Sequence, residues 1–242
     1  MKILHEDSLI ATVDAFNEAV FFGLPWRREA RALVAWVGAR LGRAGAYAGS
    51  FALTENDWSR DFRLFTGERV STRAARAHII AEEATRMLNL IRKQTGLDSS
   101  ARKASEQRLA TRIFGRKEST TTADGVYCCG KCSVSLWRCI VAGGFAGKSP
   151  TVARGAASLA AARDGSGGWN RFPFYFTLLF LAEAGRKISR PEIEYCSGRL
   201  RRARRLLRGR RDRVSARRLR LIDLILPDQT KSHRRLAPDR AY

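Results

Sequence analysis

No run in this chain is apolar for long enough to cross a bilayer; the longest, Phe172 to Ala182, is about half of what a crossing needs. The first twelve residues, MKILHEDSLIAT, carry a lysine but no apolar stretch of signal-peptide length. Histidine is scarce, at three in 242 residues, and two of the three lie near the ends, so no Ser/His/Asp arrangement can be assembled. Acidic side chains are short too, at 23 Asp+Glu against 45 Lys+Arg. Five cysteines, three of them crowded into positions 128–132, do not make a secreted disulfide framework, and the expected location is the cytoplasm.

The charge balance of +22 is the outlier in a composition that is otherwise globular, with 45% apolar and 28% charged residues. A surface this basic attracts polyanions, meaning nucleic acid, anionic membrane or an acidic protein. Arginine far outnumbers lysine, and its planar fork suits phosphate. Two explanations stay open at this point: a functional polyanion surface, or a base-composition bias in the encoding genome.

Hydrophobic spacing predicts an all-α fold of helical hairpins. Leu9, Val13, Phe16 and Val20 stripe a helix over 7–22 closed by Gly23. Pro25 opens a second, with Leu33, Val37 and Leu41 on its face, ending at Gly42. Residues 43–70 read as a long structured loop. Ser71 or Thr72 caps a helix running to Thr95, with Gly96 after it, and 98–114 make a more polar helix. Residues 116–126 are the linker candidate, dividing an N-terminal helical region (1–115) from a C-terminal one (127–227), with a frayed tail over 228–242. In the second region short helices are expected at 132–142, 151–163, 173–184 and, capped by Ser189 with Glu192, up to Leu207; a last one covers 214–226. Trp169, Phe174, Leu178 and Leu181 are the expected core of this half.

A weak repeat with a period of about forty residues joins Asp124-Gly125 … Tyr127 … Ser135-Leu136-Trp137 to Asp164-Gly165 … Trp169 … Thr177-Leu178-Leu179. The second copy, Asp164-Gly165-Ser166-Gly167-Gly168-Trp169 followed by Phe172-Pro173-Phe174-Tyr175-Phe176, resembles repeats of the prenyltransferase and squalene-cyclase superfamily. The resemblance covers about a quarter of the chain, with Gly45 to Trp58 as a degenerate copy, and implies hairpins of an α/α toroid or solenoid, possible as an abbreviated ring. It carries no catalytic residue across. The glutamine that precedes Gly and Trp in cyclase repeats is replaced by the neighbourhood Ala161-Ala162-Arg163, and neither Asp-x-Asp-Asp nor Asp-Asp-x-x-Asp occurs.

Cys128, Cys129 and Cys132 form the sharpest chemical signal, placed where a loop enters a helix. Helix amides and Lys131 would favour thiolate there. Cys129-Gly130-Lys131-Cys132 has the spacing of a redox dithiol, although the preceding Ser119–Gly125 stretch makes a poor strand. Zinc is the possible cofactor, with the three cysteines and one further donor. Cys139 is badly placed for that, since seven helical residues put it about 10 Å from Cys132. His78, His5 or Cys196 would have to arrive through tertiary folding, with His78 preferred. Plain packing beside Tyr127 and Trp137 explains the same cysteines without chemistry. His78 with Glu82, one turn apart, offers two ligands or an acid–base pair, against the simpler reading of a solvated helix face. Residues 142–149 approach a P-loop, with Ala142 where the first glycine belongs, but a glycine-rich interhelical turn accounts for them more simply.

Residues 199–220 hold twelve arginines and one acid, Asp212, so half of the net charge lies in under a tenth of the length. Arg199, Arg201, Arg202, Arg204, Arg205, Arg208, Arg210, Arg211 and Arg213 are the candidate polyanion contacts, on stretches that keep helical apolar period. The expected function is therefore a non-enzymatic binding or scaffold protein whose basic C-terminal face meets nucleic acid or another polyanion. A toroid-like enzyme or ligand-binding module with a metal or redox cysteine site is the alternative, and a P-loop-like nucleotide site a weaker one; the sequence does not name a small-molecule ligand.

Overall fold

The computed structural model describes residues 2–115 and 124–226; the expected linker falls largely, and the expected tail wholly, outside them. Among the described residues there are ten α-helices and no β-strand. They are α1 (Leu9–Phe22), α2 (Ala30–Gly38), α3 (Glu55–Ser59), α4 (Arg73–Thr95), α5 (Ser100–Phe114), α6 (Gly130–Val141), α7 (Ser149–Ala161), α8 (Phe174–Glu183), α9 (Arg186–Leu207) and α10 (Arg213–Ile225).

Where local chemistry sets a boundary, the expected ends hold. Ser8 caps α1 by accepting from the Ala11 amide, Thr72 caps α4 through Ala75, and Gly23 and Gly96 close the same helices in the left-handed conformation. Three boundaries differ. Pro25 does not open α2, which starts at Ala30 after a single 3-10 turn over Arg27–Glu29. α2 stops at Gly38 rather than Gly42, because Leu41 leaves the helix to form a single β-bridge with Phe51. α9 starts at Arg186, three residues before the expected cap; Ser189 lies inside the first turn, its hydroxyl donating to the Gly185 carbonyl, and Glu192 is drawn away to Arg163 and Trp169. The segment read as a long loop contains α3, held by a capping box between Thr54 and Asp57.

α4 packs on α1 and α6, α6 on α8, and α8 on α10. α10 returns to α1 through Arg217, which donates to both carboxylate oxygens of Asp14 at 2.8 and 2.7 Å and to Glu18 at 2.9 Å. Five helices thus pack in succession, with α2 and α5 packed on α4, α7 on α6, and α9 on α7, α8 and α10. Gly155 lets α7 seat against α6, since a Cβ there would sit 2.4 Å from the Trp137 indole. Trp169, Leu178 and Leu181 are buried as expected, whereas Phe174 is only partly so and lies under the Arg199 guanidinium.

The interior is not wholly apolar. Arg138 of α6 bridges Glu83 of α4 and Glu183 of α8, while Arg86 donates to Glu183 at 2.6 Å and to Asn17 of α1 at 2.8 Å. Two guanidiniums meet two carboxylates, so the buried charge balances. Glu183 is held below the ordinary carboxylate range: its burial works the other way but is outweighed by Arg138 and Arg86.

Candidate metal centre and basic face

α4 passes the start of α6 along much of its length, and this crossing brings His78 to the cysteines. The Cys132 Sγ lies 3.9 Å from His78 Nδ1, across fifty-four residues of sequence. Cys129 Sγ is 3.6 Å from Cys132 Sγ. The donor atoms of His78, Cys128 and Cys132 all fall within 4.8 Å of one another. Cys139 and Cys196 stay apart: Cys139 is buried farther along α6, and Cys196 on α9 donates to the Ile193 carbonyl.

Local backbone chemistry builds the cluster. Cys129 is the N-cap of α6 and Cys132 lies in its first turn. Gly130 between them is required by a close approach, because a Cβ there would sit 2.0 Å from the Arg171 carbonyl oxygen. Cys128 has φ of +55°, a left-handed conformation that costs a non-glycine residue about 1–2 kcal/mol. Two consecutive cysteines in extended backbone would point opposite ways; left-handed Cys128 brings its thiol to His78 and Cys132, while Cys129, outside that three-donor group, lies against Cys132. Cys128 is exposed, Cys129 half-buried and Cys132 buried.

The thiols are electrostatically unlike. Cys129 is lowered to about 5, first by the Cys132 thiol beside it, then by the Cys132 and Lys131 amides and the Lys131 ammonium, all against its burial. Cys132 is pushed far up by the same hydrogen bond and by burial, and burial raises Cys128. Burial, then Arg112, lowers His78, favouring the neutral imidazole that a metal needs. The Tyr47 ring lies tilted against the imidazole with ring centroids 3.9 Å apart, and Tyr127 stacks on it at 5.7 Å. The Tyr127 hydroxyl reaches Nδ1 at 3.4 Å and also meets the Tyr47 hydroxyl.

The solvated-face reading of His78 and Glu82 is overturned. Glu82 is fully buried, and neither of its oxygens has a hydrogen-bond partner. Burial raises its carboxyl well above the ordinary range, and the Ser135 hydroxyl, engaged at 3.4 Å with the Ile79 carbonyl, offsets only part of that penalty. Glu83 is likewise buried, so neither acid faces the basic surface. Glu82, Tyr47 and Tyr127 are the neighbours that sequence reasoning missed as a group. The one signal was the i, i+4 spacing of His78 and Glu82.

Residues 142–149 form the turn between α6 and α7, and the Lys148 ammonium sits 4.8 Å from the centre of the Phe114 ring. A helix, not a strand, precedes that turn.

The arginines of 199–220 divide into two sets. Arg199 pairs with Asp164, Arg204 with Asp223 at 2.7 Å, and Arg213 with Glu18 and Asp14; Arg217 is buried and Arg218 donates to the Thr66 carbonyl. Arg201, Arg202, Arg205, Arg208, Arg210 and Arg211, and Arg220 on α10, are exposed, and among the described residues no carboxylate lies within ion-pair distance of any of them.

Compared with protein-family models, with curated proteins and with solved structures, the chain matches none. The likeness of 164–179 to toroid repeats therefore rests on those residues alone.

Proposed function

We propose that this is a zinc-binding protein, in which Cys128, Cys129, Cys132 and His78 hold one zinc ion between α4 and the loop that starts α6. The observation that carries the reading is the placing of His78 Nδ1 at 3.9 Å and Cys129 Sγ at 3.6 Å from Cys132 Sγ. Zinc bonds of about 2.3 Å to sulfur and 2.0–2.1 Å to nitrogen give tetrahedral ligand edges of about 3.6–3.8 Å. Four protein donors leave no open position, which is the pattern of a structural rather than a catalytic site. The metal would tie the start of α6 to α4 and set the conformation of 124–129, which is otherwise held by the Trp137 indole donating to Gly125 and by Ser133 bridging Tyr127 and Cys129.

A dithiol reading has one specific observation in its favour, the low Cys129 beside a buried Cys132. It leaves the left-handed Cys128 and the facing His78 without a task, and the zinc reading uses both. The succession of α1, α4, α6, α8 and α10 supports an abbreviated α/α toroid as the frame, with the metal near its rim and no cyclase motif inside.

Metal analysis of protein purified without chelator decides between the readings. The expected result is one zinc per chain, lost in Cys132→Ser and in His78→Ala, with chelator lowering the melting temperature of the parent only. Metal-free parent protein that forms a Cys129–Cys132 disulfide under mild oxidant would replace zinc with redox chemistry.

A further inference from the structure

We infer that the exposed arginines of α9 and of the turn after it form a ridge that docks the phosphate backbone of duplex nucleic acid. α9 buries Ser189, Glu192, Cys196, Leu200 and Leu207 against the body of the protein. At 3.6 residues per turn that stripe turns Arg201, Arg202 and Arg205 to the opposite side, where all three are exposed. Arg208, Arg210 and Arg211 continue the exposed charge through the turn. No Asp or Glu occurs from 198 to 211.

Folding does not explain this set. The arginines that fold the protein are identifiable by their partners: Arg199 on Asp164, Arg204 on Asp223, and Arg213 and Arg217 on Asp14 and Glu18. The negative end of α9 favours a cation or two in its last turn, but the effect fades within a turn and does not call for six. Six guanidiniums in eleven residues repel one another, a cost that a polyanion would reverse.

Three observations select the occupant. Guanidinium forks match phosphate oxygens, and 198–211 carries no Asn, Gln, Asp or Glu to read adenine or cytosine beside them, which favours grip on the backbone. No aromatic residue lies between 198 and 220, so the stacking platform that single strands use is missing. Leu206, 75% exposed, is the one large apolar side chain bared on this ridge. A single leucine does not make the apolar face of a membrane-lying helix, whose place here is taken by packing on α7, α8 and α10.

The test compares three proteins: the parent, Arg201→Gln/Arg205→Gln/Arg208→Gln, and a charge-matched control, Arg27→Gln/Arg28→Gln/Arg31→Gln, whose arginines are exposed in and just before α2. Binding of a fluorescent duplex is titrated against salt, with a single-stranded oligonucleotide and anionic phosphatidylserine vesicles as parallel probes. For the parent the slope of log affinity against log salt is about −0.9 per phosphate contacted, and the ridge variant flattens it by up to about three units. The control changes the slope little. Equal losses in ridge and control variants would reduce the effect to net charge and overturn the proposal. So would tighter binding of vesicles or of single strands than of duplex. Glutamine preserves helix, and Arg210→Gln/Arg211→Gln, outside the helix, repeats the test should the triple variant fold poorly.

Discussion

Arg217 of α10 donates to both oxygens of Asp14 of α1, across 203 residues, and this pair joins the last described helix to the first. The guanidinium is nearly buried, lies over the Phe65 ring, and also donates to the Phe65 carbonyl. Asp14→Ala leaves Arg217 with Glu18 as its remaining carboxylate, and should cost about 1–3 kcal/mol. Urea denaturation checks this. An unchanged midpoint with an unchanged slope would mean that the contact contributes nothing to stability.

The Arg138–Glu183–Arg86 network predicts a loss of stability in acid. Glu183 is depressed below its ordinary value of 4.5 by the two arginines. A depressed carboxyl adds stability that is fully present above the unfolded value and is lost as pH falls through the folded one. Glu183→Gln should therefore be less stable than the parent at pH 7, by about 1–3 kcal/mol, with the gap closing below pH 4. A gap that stays constant from pH 7 to 3 would remove the ionic explanation.

Much of the helical frame was legible in the sequence, because capping and apolar period are local. Ser8, Thr72, Gly23 and Gly96 mark ends that need no tertiary information. The start of α9 was not legible: Ser189 and Glu192 have the spacing of a capping box, but Arg163 and Trp169 arrive from elsewhere to take the carboxylate. The metal-centre candidate was half legible. Three cysteines at a helix start announced themselves, and His78 could be named only as a possible fourth donor, because the packing of α4 on α6 is not written in local periodicity. Glu82 was misassigned to a solvated face for the same reason. α4 is covered from several sides, by α1, α2, α5 and α6, so its polar positions are not its exposed ones. The arginine cluster hid a division that only partners reveal.

Glu82 sits one turn beyond His78, fully buried and with neither oxygen hydrogen-bonded, and burial holds its carboxyl well above the ordinary range, which sets it outside the four-donor set. Glu82→Gln keeps the shape of that group and removes its capacity to ionise. The variant should fold, change stability by no more than about 1 kcal/mol, and hold the same zinc per chain as the parent. Metal analysis with a competitive chelator titration is the measurement. A loss of affinity beyond tenfold would make Glu82 a ligand and displace one of the four donors.

Cys128 offers the sharpest separation of metal binding from packing, because its two roles pull in opposite directions. Its φ of +55° is a strained conformation that glycine adopts freely. Cys128→Gly should relieve about 1–2 kcal/mol of left-handed strain, partly offset by the greater unfolded-chain entropy of glycine. In chelator the variant should then equal or exceed the parent in stability by up to about 1 kcal/mol. With zinc at a thousand times the dissociation constant, a protein that binds gains about 4 kcal/mol. The parent should collect that gain and the variant, one thiolate short, much less of it, so the order of stability reverses on adding metal. Denaturation of both proteins with chelator and with zinc supplies the four values. If Cys128 only fills space at the surface, glycine is the more stable or equal residue in both conditions and zinc moves neither protein.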